Sequence, residues 1–237
     1  MAIILKSTNY GESSLILQLL TKEYGLIGVM AKGVKSLKSR LRPLTMNFTY
    51  GFFYIYYKKD KLSILKDVDI INPYKAIHSD ITKIAYLNYL CDLTYQVYKE
   101  SENKDLFYLL ISTLEKMERG LDPSVLAHII EVKYLSFLGI QLNLDYCVKC
   151  GNTKNIVTIS IYDGGVICKN CYNKELIVGT KTIKYLRLFQ VLDISKIIKI
   201  DINTLTINEI DRLLTMYYDK YTGLYLDSKE FMKKMHI

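Results

Sequence analysis

The sequence predicts an α+β protein: an N-terminal OB-fold β-barrel, then an α-helical domain with an inserted four-cysteine zinc module. Three observations predict it. Short apolar runs separated by turn residues fill the first 72 residues, a helical period takes over from Tyr74, and two Cys-x-x-Cys pairs interrupt the helices. A chain of 237 residues has room for one or two domains and a small module. The expected division is residues 1–76 for the barrel and 77–237 for the helical domain, with the zinc-binding module at 145–175.

The strand signals come in order. Ile3 to Ser7, Leu15 to Leu20 and Leu26 to Ala31 are apolar runs separated by Asn9-Tyr-Gly-Glu12 and Thr21-Lys-Glu-Tyr-Gly25, both rich in turn residues. A basic segment precedes Asn47 to Tyr57, whose alternation sets Phe48, Tyr50, Phe52, Tyr54 and Tyr56 on one face and Phe53, Ile55 and Tyr57 on the other. The turn Lys58-Lys-Asp-Lys61 leads to a fifth run, Leu62 to Ile71. Five strands with a long connection before the fourth suit a small Greek-key barrel.

The helices are read from their caps and stripes. Ser79 or Asp80 caps a helix with Ile81, Ile84, Leu87, Cys91, Thr94 and Tyr98 inward. Asn103 caps the next, with Leu106, Leu110, Leu114 and Met117 on one stripe and Gly120 as its stop. Asp122 as cap, Pro123 at the first position and Gly139 beyond the last turn punctuate the third. Further helices are expected over 182–192, 208–221 and 228–235.

The 32 Lys and Arg against 24 Asp and Glu give a net charge of +8, which favours an anionic partner without naming one. Residues 1–80 hold 12 cations and 6 anions, so most of the excess is N-terminal. Lys32, Lys35, Lys38, Arg40 and Arg42 form a run with no anion, and Lys58, Lys59 and Lys61 follow the aromatic strand. Self-repulsion predicts that the first run is a mobile loop until an anion neutralises it. With 27 lysines against 5 arginines, the chemistry suits phosphate more than base edges. A lysine loop beside a Tyr- and Phe-rich sheet points to sequence-tolerant binding of single strands. Five loop cations released onto a single strand give a slope of log K against log salt of roughly −3.5.

Cys147-x-x-Cys150 and Cys168-x-x-Cys171 are separated by 17 residues, a spacing that in a reducing compartment predicts one Zn2+ held by four thiolates. Four thiolates close the coordination shell, so the ion is expected to be structural. Cys91, alone on a helical stripe, reads as a small buried hydrophobe. No enzyme is expected: the three histidines, His78, His128 and His236, are scattered, and no hydrolase or nucleotide-binding motif is present. Asp67 and Asp69 share a strand face without a third acid and read as a polar edge, and Glu131 and Lys133 as polar helix contacts. The longest stretch without Asp, Glu, Lys or Arg is 15 residues, Pro43 to Tyr57, too short for a membrane crossing. Met1 to Lys6 lacks the basic region and long apolar core of a secretory signal, so a cytoplasmic chain is expected.

The order of motifs resembles the bacterial recombination mediator family RecO. The N-terminal resemblance lies in Tyr10-Gly-Glu12-Ser-Ser, Gly25, Ala31-Lys32-Gly33-Val-Lys35 and Leu41-Arg42-Pro43. The most specific stretch runs from Phe137-Leu-Gly139 through Leu144-Asp-Tyr-Cys147-Val-Lys-Cys150-Gly151 to Asp163-Gly-Gly165-Val-Ile-Cys168-Lys-Asn-Cys171. Tyr221 to Phe231 resembles the family's closing Leu-Lys-Ser motif, with Asp227 where a lysine is common. The resemblance implies a nonenzymatic mediator of the RecF pathway of DNA repair, associated with the nucleoid. Such proteins bind single- and double-stranded DNA, anneal complementary strands, and work with RecR and the C-terminal tail of single-strand binding protein to load RecA. It also implies a DNA surface on the barrel and its basic loop; a pocket on the helical domain with a nearby cation would suit the tail, with His128 or Lys133 as candidates for that cation. The alternative is a zinc-ribbon protein-interaction scaffold without direct DNA binding.

Overall fold

The computed structural model describes residues 1–59, 61–224 and 226–234. Asp60, Tyr225 and Met235 to Ile237, and with them His236 and the end of the expected last helix, lie outside the described residues. Five strands, β1 (Ala2–Tyr10), β2 (Ser14–Thr21), β3 (Gly25–Ala31), β4 (Tyr50–Tyr56) and β5 (Ser63–Asn72), close into a barrel of order β1-β2-β3-β5-β4. Neighbours are antiparallel except β3 and β5, and β1 meets β4 at Ala2↔Gly51 and Ile3↔Tyr50. This is the Greek-key order expected of the five apolar runs.

The barrel is filled by Ala2, Ile4, Leu17, Leu19, Val29, Ala31, Leu65 and Val68, with Phe53 and Ile55 half-buried against them. Alternation therefore puts Phe53 and Ile55 inside and leaves Phe52, Tyr54 and Tyr56 exposed. Two strand ends differ from their sequence runs. β1 continues to Tyr10 because Asn9 and Tyr10 still pair with Leu15 and Ser14 around Gly11, whose φ of 58° closes the turn. β4 starts only at Tyr50, since Phe48 has a φ of 70° and breaks the extended run. Gly51 stands at a register shift where a Cβ would come within 2.3 Å of the Asp69 carbonyl oxygen, so the strand crossing there requires glycine.

The chain divides into two compact units, Met1–Arg119 with Leu226–Ile237, and Gly120–Tyr225. In the first, the helices α1 (Lys75–His78), α2 (Ile81–Ser101), α3 (Asp105–Glu118) and α7 (Asp227–Lys234) accompany the barrel. The sequence boundary at residue 76 separates strands from helices; compactness separates the chain elsewhere, because these helices cover part of the barrel. α2 packs on β1, and the Tyr98 hydroxyl lies where a Cβ on Gly25 would be. Asp80 accepts from the N–H groups of Thr82 and Lys83 and starts α2, as its sequence implies. Ile81, expected on the inner stripe, is exposed, while Leu90, Leu93 and Val97 widen the buried face. Glu118 accepts from the Ala76 and Ile77 N–H groups at 3.0 Å each and so caps α1 from a distance.

The second unit contains α4 (Pro123–Phe137), the hairpin β6 (Ile156–Ser160) and β7 (Gly165–Cys168), α5 (Thr180–Val191) and α6 (Thr204–Tyr221). Asp122 caps α4 with Pro123 in its first turn. Residues Val125 to Val132 are all buried, so α4 is the central helix around which α5 and α6 pack. α6 begins four residues before the expected Asn208, because the Asn203 side chain accepts from the Thr206 N–H at 2.9 Å and supplies an earlier cap.

Candidate metal centre and nucleic-acid interface

The cysteine pairs are brought together by the β6–β7 hairpin and the loop before it. Gly151 (φ 74°) turns the first pair, and its N–H donates to the Cys147 carbonyl at 2.8 Å. The Cys171 N–H donates to the Cys168 carbonyl at 3.0 Å and turns the second. At Gly165 a Cβ would come within 2.5 Å of both the Asn143 carbonyl oxygen and Val148; only glycine lets the two segments approach this closely.

The four Sγ atoms all lie within 4.8 Å of one another, with Cys150 and Cys168 at 3.6 Å. A tetrahedral ion with Zn–S bonds of about 2.3 Å has S···S edges of about 3.8 Å, so the cluster can hold a metal ion and is consistent with zinc. Among the described residues it is the one group of three or more His, Cys, Asp or Glu side chains so placed. Burial pushes the Cys147 thiol up, but N–H donors from Cys168, Lys149 and Cys150 outweigh it and bring it down to about 6. Cys171 is pushed up to about 12, chiefly through its hydrogen bond with Cys150. Cys147 is thus ready to be a thiolate while Cys150 and Cys171 are held up beside it, a pattern that a divalent cation relieves. Lys149 sits at the rim, 2.7 Å from Glu175 and 3.6 Å from Asp163. Cys91 is fully buried in α2, and burial pushes its thiol up.

The basic segment 32–49 is a chain of turns with a short 3-10 stretch at Pro43–Thr45. Charge repulsion alone predicted a mobile loop; instead the segment is pinned by its apolar residues. Val34 is buried in the barrel core and Leu41 and Leu44 pack against it, while the Lys35 N–H donates to the Ser13 carbonyl at 2.9 Å. Lys32, Lys35, Lys38, Arg40 and Arg42 are all exposed, as are Lys58, Lys59 and Lys61. Arg40 differs from the rest: its guanidinium donates to Asp67 at 2.9 Å. The two sets lie toward opposite ends of β3, for Lys32 follows that strand while the Lys58–Lys61 turn precedes Ser63, the partner of Val29.

The aromatic residues sort into three groups. Tyr50 is buried under Tyr74 and Phe107. The strip on β4 is exposed but already engaged: the Tyr54 hydroxyl donates to Asp69 at 2.8 Å, and the Lys66 ammonium lies 4.2 Å from the Tyr56 ring centre. Tyr24 and Tyr57 stack on each other with ring centres 4.7 Å apart. Periodicity could not have found this pair, whose members come from two different turns. In α4, His128 is buried with Nε2 3.5 Å from Asp211, and Lys133 is half-buried with Nζ donating to the Gln190 carbonyl at 3.2 Å. Neither presents a free cation at the surface.

Residues 1–74 match the family described as Recombination protein O N terminal, and residues 78–230 match Recombination protein O C terminal. The chain belongs to the RecO family. A relative called DNA repair protein RecO from Bacillus pumilus is 39% identical over 237 residues, covering 98% of this chain and 92% of the relative. RecO proteins of the same description from Halalkalibacterium halodurans and Listeria monocytogenes are 36% and 34% identical, again over 98% of this chain and 93% and 92% of theirs. RecO membership supports a role in DNA repair and recombination. Among the described residues, no helix is long and apolar enough to cross a membrane.

Proposed function

We propose that the chain is a nonenzymatic recombination mediator of the RecF pathway. In this reading it binds single- and double-stranded DNA without sequence specificity and anneals complementary strands. With RecR it helps to load RecA onto DNA coated with single-strand binding protein, whose C-terminal tail it recognises. The observation that carries the reading is the exposure of Lys32, Lys35, Lys38 and Arg42 on a loop whose apolar residues are anchored in a closed barrel. Such a loop holds a cationic surface in place without ordering it at the moment of binding. Lysine ammonium groups meet phosphate as point charges and read no base, so the bases of a bound strand stay available to a second strand. Two bare strands repel; neutralising both lowers the cost of their encounter, and pairing follows.

Lys58, Lys59 and Lys61 extend the cationic surface past the other end of β3. Arg40 contributes less, because its guanidinium must leave Asp67 to meet a phosphate. Cys147, Cys150, Cys168 and Cys171 hold one structural Zn2+, which folds the 145–175 module and takes no part in DNA binding.

The test is annealing of complementary oligonucleotides across a salt series. With four free loop cations engaged, log K for a single strand falls against log salt with a slope of about −2.8. Replacing Lys35, Lys38, Arg40 and Arg42 together abolishes annealing and flattens that slope. Annealing that survives in this variant defeats the mechanism, and a wild-type chain that binds protein partners but no DNA restores the scaffold reading.

A further inference from the structure

We infer that the cleft between the β2–β3 turn and the β4–β5 turn is a subsite for one unpaired nucleotide, with Tyr24 and Tyr57 taking the base and Lys58 and Lys61 its flanking phosphates. This deepens the DNA-binding reading above and rests on it.

The cleft has a volume of about 420 Å³ and is lined by Tyr24, Leu26, Ile27, Gly28, Tyr57, Lys58, Lys61 and Leu62, a size suited to a small-molecule site. Its chemistry is divided as a nucleotide is divided. Tyr24 and Tyr57 remain 57% and 46% exposed although their rings stack on each other at 24° between planes. Their remaining ring surface is open to a third flat partner. Lys58 and Lys61 are exposed and line the cleft. Gly28 lies against Leu62 so closely that a Cβ would come within 2.8 Å of Leu62 Cδ2; the missing side chain leaves the cleft its depth.

The pair is also held before any ligand arrives. The Tyr24 N–H donates to Thr21 Oγ1 at 2.8 Å, Thr21 Oγ1 donates to the Gly25 carbonyl at 2.9 Å, and Lys104 Nζ donates to the Glu23 carbonyl at 2.9 Å. Gly25 itself is backed by the Tyr98 hydroxyl. On the other side, the Lys58 N–H donates to Ser63 Oγ at 3.1 Å. Two turns fixed in this way present rigid rings at little entropic cost.

The rival aromatic surface is the β4 strip, which the alternation of the sequence first suggests. It is less suited to a phosphate chain. Tyr54 is bonded to the Asp69 carboxylate, Asp67 lies across from Tyr54 on β5, and the Tyr56 ring is covered by Lys66. Asp69 beside the Tyr54 ring repels phosphates, although Asp67 is taken up by Arg40. Lys58 and Lys61 instead line the Tyr24–Tyr57 cleft, and Glu23, next to Tyr24 in the chain, is paired with the N-terminal ammonium at 3.4 Å.

The test compares a labelled oligothymidylate with an abasic strand of equal length, using the full chain. Base–ring stacking gives the base-bearing strand an advantage of about 5- to 100-fold. Tyr24→Leu with Tyr57→Leu removes that advantage and keeps the salt slope. The variant lacking the cations at 35, 38, 40 and 42 keeps the advantage and loses slope. Tyr24→Phe with Tyr57→Phe retains the wild-type preference, which separates ring stacking from loss of fold. Photocrosslinking of a 5-iodouracil strand to the wild-type chain gives a second readout, with the label expected on Tyr24 or Tyr57. A wild-type chain with no base preference, a preference that survives in the leucine variant, or a label confined to Phe52, Tyr54 or Tyr56 overturns the inference while leaving DNA binding intact. No binding of either strand overturns both.

Discussion

Around Leu17, Leu19 and Val29 the N-terminal barrel closes on a continuous apolar core, with Val34, Leu65 and Val68 completing it. The β6–β7 hairpin has a buried cluster of Cys147, Ile167 and Cys168, with Val148, Ile156 and Cys171 at its edge. The first region can hold its shape by removing apolar surface from water. The second has little to bury, and a metal ion held by its four sulfurs would supply what the core lacks. The difference teaches where each region is free to carry function. A barrel stabilised from within can leave its surface cations unpaired for a ligand, whereas a hairpin with so small a core gathers its four cysteines into a cluster that can hold a metal ion.

The largest effect is expected on removing one of the four clustered sulfurs. Cys147→Ser, or chelation of the wild type, is expected to abolish bound zinc by elemental analysis. Hydrogen-exchange protection across residues 147–171 should go with it while barrel amides keep theirs. Metal binding in such sites is worth on the order of 10 kcal/mol, so intact protection after metal loss defeats the account. Next, Leu17→Ala or Leu19→Ala, both fully buried, should lower barrel stability by about 2–5 kcal/mol in denaturant melts. The zinc content should stay at one per chain; a variant that also loses its metal means that the two regions are not held independently.

A smaller effect is expected at Gly165. An added Cβ meets the Asn143 carbonyl and Val148 at 2.5 Å, and Gly165→Ala should cost about 1–3 kcal/mol and weaken zinc retention in a chelator competition. Smaller still is Tyr217→Phe, which removes the hydroxyl that donates to the Ile140 carbonyl at 3.0 Å and should cost about 1 kcal/mol. Burial, with help from Tyr221, raises this hydroxyl from 10.0 to about 12. Its contribution is therefore whole below pH 10 and is lost as pH rises toward 12. The variant should show a shallower alkaline loss of stability in urea melts at pH 9 and pH 11.5. The smallest effect on stability, under about 0.5 kcal/mol per site, is expected for Lys35→Ser, Lys38→Ser and Arg42→Ser, although they should weaken DNA binding the most. A melting temperature that falls sharply in these variants means that the loop cations are structural, and the contrast between the two regions fails.

Much of this was legible in the amino-acid order. The five apolar runs lie on the five strands because alternation and turn residues are local properties. Asp80 and Asp122 cap their helices because a cap needs only the next three residues. The cysteine spacing pointed to the four-sulfur cluster because two residues between thiolates already fit one edge of a tetrahedron. Other features depend on partners far along the chain. The loop at 32–49 looked mobile from its charge, but Val34, Leu41 and Leu44 tie it to strands whose closure no local pattern encodes. Arg40 reads like its neighbours until Asp67, 27 residues away, takes it up.

Residue type and near-neighbour spacing set the approximate strands, the caps of α2 and α4, the pairing of the four clustered cysteines and the sign of the charge. Tertiary contacts set which loop cation is paired and which rings meet across the barrel. Tyr24 and Tyr57 meet because barrel closure brings two turns side by side, and juxtaposition across a closed sheet is a property of the whole chain.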